Sequence, residues 1–136
     1  MAASVLADTS FVVALLSRRD VHHRWAAIQA ADCPPPWTTC EAVISEAFHL
    51  LGARGGPALR AMLQRRSLRV AFDLAEHLEA VLKLMQKYAD VPMSLADACL
   101  VRMTEMLSDS MILTSDADFG VYRRHSRQVV PCRMPG

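Results

Sequence analysis

The chain has 136 residues, of which 52% are hydrophobic and 21% are charged, and its formal net charge is +1. This composition excludes an intrinsically disordered chain and predicts one globular domain, residues 1–136, with a core of its own. A net charge so close to neutral neither favours nor excludes a nucleic-acid partner.

The start of the chain carries no targeting or membrane signal. It lacks a basic region ahead of an apolar one, and the apolar run 11–16 is far too short to span a bilayer. The cysteines at positions 33, 40, 99 and 132 have neither C-x-x-C spacing nor partnering histidines, which argues against a zinc site. We therefore expect free thiols, a cytoplasmic location and no membrane association.

Short strands alternate with helices along the chain. A strand through Val5 and Leu6 ends at Asp8, and Thr9 or Ser10 is expected to cap a helix that reaches Leu16. The elements predicted after it are a helix over 22–32, a very short strand at 37–38, a helix over 40–51 ended by Gly52, a helix over 58–66, a strand over 68–72, a helix over 74–88, a helix from Ser94 to about Leu107, a strand over 111–113, a helical turn over 119–122 and a last strand over 128–130. This order predicts an α/β three-layer sandwich with a short, mainly parallel central sheet flanked by helices.

Two acids stand at the ends of predicted strands. Asp8 follows the first strand and Asp116 follows the strand over 111–113. Ligands of parallel sheets bind at the carboxyl ends of the strands, so both acids are placed for chemistry. Each also has a structural alternative, since Asp is a preferred helix N-cap and a common Asx-turn residue. Asp118, two residues further on, is expected to be solvated.

Three further acids lie on two of the predicted helices. Asp97 has the spacing of a capping box with Ser94, which gives it a structural alternative, although the first helical turn also lets it point toward the sheet edge. Glu41 and Glu46 project in different directions, so at most one is expected to face a shared site. We favour Glu46, because Glu41 at the helix start is favoured by the helix dipole without any function.

The four acids together predict a cation site. Asp8, Glu46, Asp97 and Asp116 would converge on one edge of a small sheet, where unpaired carboxylates must protonate or find a cation. Oxygen ligands without cysteine or histidine suit Mg²⁺ or Mn²⁺.

An ordered set of four short motifs covers nearly the whole chain. These motifs are Leu6-Ala7-Asp8-Thr9-Ser10, then Thr38-Thr39 with Val43-Ile44-Ser45-Glu46, then Ser94-Leu95-Ala96-Asp97-Ala98, and Ile112-Leu113-Thr114-Ser115-Asp116-Ala117-Asp118-Phe119. In this order and spacing the chain resembles the PIN-domain nucleases, and within them the VapC-type toxins of bacterial toxin–antitoxin pairs.

The resemblance implies a metal-dependent ribonuclease that hydrolyses RNA phosphodiester bonds. The acidic quartet of the family falls on Asp8, Glu46, Asp97 and Asp116, which would hold Mg²⁺ or Mn²⁺. Thr114, Ser10 and Asp118 fall on accessory positions. The resemblance further implies a homodimer, an RNA substrate and a cognate antitoxin. A catalytically inactive PIN-fold module that binds RNA or a protein is the alternative, and the retention of all four acids disfavours it.

Basic groups are needed to bring RNA to an acidic pocket. The candidates are Arg18 and Arg19 after the first helix, and Arg123 and Arg124 with Arg127 after the fourth acid. Arg65, Arg66 and Arg69 form a third group. A solvated charged edge explains each group equally well, and phosphate attraction would make binding salt-dependent.

Three other α/β classes lack their required residues. A phosphorelay receiver needs an acidic pair on the first strand and a late lysine, but the only lysines are Lys83 and Lys87. A haloacid-dehalogenase phosphatase needs Asp-x-Asp at the first strand, and Ser10 stands where the second Asp would be. A dinucleotide-binding domain needs a glycine-rich turn there, which is absent.

Overall fold

The protein is a three-layer α/β sandwich in the computed structural model, which describes residues 2–136. In chain order the elements are β1 (Ser4–Ala7), α1 (Thr9–Leu16), α2 (His23–Asp32), β2 (Trp37–Thr39), α3 (Glu41–Gln64), β3 (Leu68–Val70), α4 (Leu74–Lys87), α5 (Leu95–Met106), β4 (Ser110–Leu113), a 3₁₀ turn (Ala117–Gly120), β5 (Arg123–Arg124), β6 (Gln128–Val129) and β7 (Cys132–Arg133). Five strands form one sheet in the order β3-β2-β1-β4-β7, and every neighbouring pair is parallel. The predicted fold class is confirmed.

The central strands are buried on both faces, and their side chains alternate between two hydrophobic layers. Leu6 and Ile112 face the layer formed mainly by α4 and α5. Val5, Ala7 and Leu113 face the opposite layer, where α1, α2 and α3 pack. The period of two along a strand produces this division, and it explains why the central strands are continuous apolar runs.

Two helical segments joined at Gly52 correspond to the helices predicted over 40–51 and 58–66. α3 runs from Glu41 to Gln64 and kinks at Gly52, which has φ 61° and ψ −156°. This backbone conformation is essentially restricted to glycine, so the chain changes direction at Gly52 and resumes a helix without a loop. The second helical segment therefore takes in Pro57, which lies ahead of the predicted helix start.

The last strand of the sheet is not the segment predicted. Gln128–Val129 pairs antiparallel with Arg123–Arg124 in a separate small hairpin, because His125 and Ser126 adopt positive φ and reverse the chain. The sheet is completed instead by Cys132–Arg133, parallel to β4. The carbonyl of Pro131, directly before β7, accepts a hydrogen bond from the Ile112 N–H at 2.9 Å.

The register between β1 and β4 places the residues that follow the two strands next to each other. Ala7 lies opposite Leu113 in the parallel pair of β1 and β4. The next residues, Asp8 and Thr114, consequently leave the sheet side by side at its carboxyl edge. Within residues 2–136, no helix is both long enough and apolar enough to cross a membrane.

Candidate active site

Asp8 forms the centre of a buried polar cluster at the sheet edge. The Thr114 hydroxyl donates to Asp8 Oδ2 at 2.7 Å, and the Ser10 hydroxyl donates to the same oxygen at 3.0 Å. The other oxygen, Oδ1, accepts the Thr9 N–H at 2.8 Å and so caps α1. The cap predicted at Thr9 or Ser10 is therefore Asp8 itself, and the same carboxylate faces both accessory hydroxyls.

The environment of Asp8 opposes ionisation. Its side chain is 4% exposed. Burial raises the pKa of Asp8 from 3.8 to about 7, the Thr114 hydroxyl acts against this rise, and the nearby charge of Asp97 adds to it. A carboxyl group with this pKa is one that a neighbouring cation would hold in its ionised form.

Asp97 lies in the first turn of α5 and is 9% exposed. The Ser94 side chain accepts its backbone N–H at 3.0 Å, so the capping contact predicted at Ser94 is present. The carboxylate of Asp97, however, accepts a hydrogen bond from the Tyr122 hydroxyl at 2.8 Å. Burial raises the pKa of Asp97, and the charge of Asp116 contributes to the rise.

Asp116 begins the 3₁₀ turn that follows β4. Its Oδ1 accepts the backbone N–H of Asp118 at 2.9 Å, and its own N–H donates to the Thr114 hydroxyl oxygen at 2.9 Å. Asp116 therefore caps the 3₁₀ turn, which is the structural role that the sequence offered as an alternative. The second bond also ties the backbone of Asp116 to the hydroxyl that touches Asp8. Asp118 is half-buried rather than fully solvated.

Glu46, the fourth of the predicted acids, lies on α3. It lies on the exposed surface of α3 and lines a shallow groove of about 390 Å³ together with Ser94 and Ala96. Burial raises the pKa of Glu46, and the charges of Asp97 and Asp116 raise it further. Glu41 instead lines a different groove with Phe72 and Asp73.

The four acids are electrostatic neighbours but do not form a closed cage. Asp97 acts on the pKa of Asp8 and of Glu46, and Asp116 acts on Asp97 and Glu46. Within residues 2–136, no three histidine, cysteine, aspartate or glutamate side chains converge closely enough to enclose a metal ion. The donors are carboxylate oxygens alone, which is the chemistry that Mg²⁺ and Mn²⁺ prefer.

The predicted RNA-contact arginines occupy two different settings. Arg18 and Arg19 are exposed just after α1 and line a groove of about 370 Å³ with Arg54. Arg123 donates to the carbonyls of Gly120 and Tyr122 at 2.8 and 2.9 Å. These hydrogen bonds give Arg123 a structural role that Arg18 and Arg19 lack.

Arg124 lies at the other end of α5 from the acids. Its guanidinium donates to the Thr104 carbonyl at 2.8 Å. Thr104 is about 10 Å further along the helix than Asp97, at 1.5 Å per residue. The structure therefore does not bring Arg124 to the acidic edge.

Sequence reasoning missed Tyr122. This residue is fully buried and holds the Asp97 carboxylate, although the two are 25 residues apart. A single tyrosine in a segment without helical or strand periodicity carries no signal for a role of this kind, so only the tertiary structure reveals it.

Two comparisons with known proteins bear on this site. A family model for the PIN domain matches residues 5–124, a range that contains all four acids. Among solved structures, the chain is similar to VapC20 of Mycobacterium tuberculosis, a toxin that cleaves the sarcin–ricin loop. The two are 25% identical with a TM-score of 0.77, and the match covers 87% of this chain and 94% of that chain. No curated protein sequence matches this chain.

Proposed function

The chain belongs to the PIN-domain family and is of the VapC type, and from that premise we propose that it is a metal-dependent ribonuclease. The reaction is hydrolysis of RNA phosphodiester bonds, with RNA as substrate and the reducing cytoplasm as the place of action. One observation carries the proposal furthest. A buried carboxylate, Asp8, is held at the carboxyl edge of the sheet by Thr114 and Ser10, within electrostatic reach of Asp97.

The residues that would hold Mg²⁺ or Mn²⁺ are Asp8, Glu46, Asp97 and Asp116. Their oxygen-only donor set fits a hard divalent cation, and burial, with a smaller contribution from neighbouring carboxylates, raises the pKa of Asp8, Glu46 and Asp97, a rise that a bound cation would oppose. When bound, such an ion supplies a water of lowered pKa and neutralises charge that develops on the phosphate.

The remaining roles follow from the contacts of the chain itself. Thr114 and Ser10 orient Asp8, and Thr114 also fixes the start of the turn that carries Asp116. Asp97 and Glu46 are the two candidates for accepting the proton of the attacking water, because burial raises the pKa of each, whereas Asp8 is already engaged by the hydroxyls of Thr114 and Ser10. Asp118 remains an accessory residue.

RNA needs positive charge to approach this acidic edge. We assign the first contacts to Arg18 and Arg19, whose side chains are exposed beside a groove. Arg123 and Arg124 are secondary candidates, because both already donate to backbone carbonyls.

We further propose that the ribonuclease is the toxin of a type II toxin–antitoxin pair, with a cognate antitoxin as protein partner. VapC20, which shares the fold, is described as a toxin. Expression of the chain alone should stop bacterial growth, and an Asp116→Asn chain made at the same level should not. Growth arrest by both chains would remove the toxin assignment.

A homodimer is the proposed assembly. Leu78 and Leu82 are 43% and 47% exposed and lie four residues apart on α4, so they form one apolar stripe. A Leu78→Glu change should convert a dimer to a monomer in size-exclusion chromatography with light scattering. Val129→Glu is the matched control, because Val129 is 66% exposed on the separate hairpin. A parent that elutes as a monomer would contradict the assembly.

Cleavage of a single-stranded RNA in Mn²⁺ tests the enzymatic proposal. The parent should cleave in Mn²⁺ and not in EDTA, and Asp8→Asn should be inactive. Asp73→Asn is the matched control, because Asp73 also caps a helix but is exposed at the start of α4. Equal cleavage by the parent and Asp8→Asn would indicate a contaminating nuclease. RNA binding without cleavage by the parent would favour the inactive-module alternative.

A further inference from the structure

We propose that Tyr122 is a positioning residue for Asp97, whose carboxylate it holds in the orientation needed to bind a divalent cation. This inference rests on the proposed function, since it takes Asp97 as a metal ligand. It adds a residue that lies outside the acidic quartet and its accessory hydroxyls.

The hydrogen bond is short and shielded from water. The Tyr122 hydroxyl donates to Asp97 Oδ2 at 2.8 Å, and the two side chains are 0% and 9% exposed. A charge-assisted bond of this length in a buried setting restricts the rotation of the carboxylate. It uses one of the two oxygens.

The tyrosine ring has little freedom to move. It makes an edge-to-face contact with Phe119 at 5.3 Å between centroids and a second contact with Tyr88 at 5.1 Å. Since the ring is fully buried and packs against two aromatic rings, the core limits the movement of its hydroxyl independently of Asp97.

The backbone joins Tyr122 to another proposed ligand. Asp116 Oδ1 accepts the N–H of Asp118, and the carbonyl of Asp118 accepts the N–H of Tyr122 at 3.2 Å. One short segment therefore presents Asp116 at its start and the hydroxyl that holds Asp97 at its end. The backbone of Asp97 is anchored independently by Ser94, so its carboxylate is held between two elements.

Loss of the hydroxyl should act on cation affinity. Groups that orient a ligating carboxylate typically change metal affinity by about ten- to a hundredfold when removed. A hydroxyl that only satisfied its own hydrogen-bonding need would affect unfolding and leave metal affinity unchanged. The two roles can therefore be separated by measurement.

The experiment is calorimetric titration of Mn²⁺ into the full chain, as parent, Tyr122→Phe and Tyr88→Phe. Tyr88→Phe is the matched control. Its hydroxyl accepts the Arg123 N–H at 2.9 Å and its ring packs on Tyr122, but it does not bond to Asp97. We expect at least about tenfold weaker Mn²⁺ binding in Tyr122→Phe and no change in Tyr88→Phe. Unfolding of each chain in EDTA provides the structural readout.

The outcomes separate this inference from the enzymatic proposal. Equal Mn²⁺ affinity in the parent and Tyr122→Phe overturns the inference and leaves the nuclease standing if the parent cleaves RNA. Weaker binding in Tyr122→Phe with no RNA cleavage by the parent supports the inference and refutes the nuclease. A Tyr122→Phe chain that fails to fold in EDTA overturns the inference, because the hydroxyl would then serve the fold. A parent that binds no Mn²⁺ removes both.

Discussion

Replacing Asp8 by asparagine should stabilise the protein at alkaline pH in the absence of metal, although the same change should abolish activity. The folded-state pKa of Asp8 is about 7, above its ordinary value of 3.8. Ionisation of Asp8 therefore opposes folding. The loss of stability is absent below about pH 4, grows as the pH rises, and is complete above about pH 7.

The magnitude follows from the same two pKa values. A rise from 3.8 to about 7 corresponds to about 4 kcal/mol of lost stability at pH 8. Asparagine avoids this loss and keeps the oxygen that accepts the Thr9 N–H, but its amide must donate to the hydroxyls of Thr114 and Ser10, which now donate to the carboxylate. That rearrangement costs about 1–2 kcal/mol. Asp8→Asn should thus be about 2 kcal/mol more stable than the parent at pH 8 and about equal near pH 5.

Urea unfolding in EDTA at pH 5 and pH 8 measures this difference. Comparing parent and variant at each pH cancels the titration of the groups that do not interact with Asp8. Asp73→Asn serves as control, because this exposed cap of α4 accepts the Ala75 N–H at 3.1 Å and asparagine caps equally well. A parent–variant difference that is the same at both pH values would refute the account of Asp8.

Three further sets of substitutions, each with its own comparison, test other parts of the structure. Thr114→Val removes a hydroxyl that donates to one acid and accepts a backbone N–H, so it should cost about 2 kcal/mol in urea unfolding and lower RNA cleavage, whereas Thr114→Ser should restore both. Equal losses in both variants would exclude the hydroxyl as the cause. Gly52→Ala should cost about 1–3 kcal/mol because φ is 61°, and Gly120→Ala, with no heavy atom within 4 Å, should be nearly neutral. Equal thermal unfolding of the two glycine variants would contradict the strain at the kink. Arg18→Ala and Arg19→Ala should each lower the slope of log affinity against log salt for single-stranded RNA by about 0.7, and an unchanged slope would place the RNA elsewhere.

Much of the fold follows from local sequence patterns. The alternation of apolar strands with amphipathic helices predicted the sandwich, and the polar residues after β1 and β4 lie at the sheet edge where we propose the site. Parallel strands make this inference possible, because their carboxyl ends must share one edge. The capping of α5 by Ser94 could also be predicted from the sequence, because it depends only on Ser94 and on Asp97 three residues later.

The tertiary structure decided what depends on distant contacts or on backbone conformation. The first segment of α3 ends at Gly52 as predicted, but the second segment begins directly after it, and the hairpin turn at His125 and Ser126 places the final sheet strand at Cys132–Arg133. Neither the junction in α3 nor the hairpin turn produces a periodic pattern of apolar residues in the sequence. The hydrogen bond to the Thr104 carbonyl distinguishes Arg124 from the exposed Arg18, a difference that the sequence does not show.

The sequence by itself determined which side chains carry negative charge and predicted that Asp8 and Asp116 follow strands that end at the same edge of the sheet. Only the packed structure decided how each is held, as the hydrogen bond from Tyr122 to Asp97 shows. Periodicity and capping act between neighbours along the chain, whereas the environment of a carboxylate depends on groups that folding brings from far away.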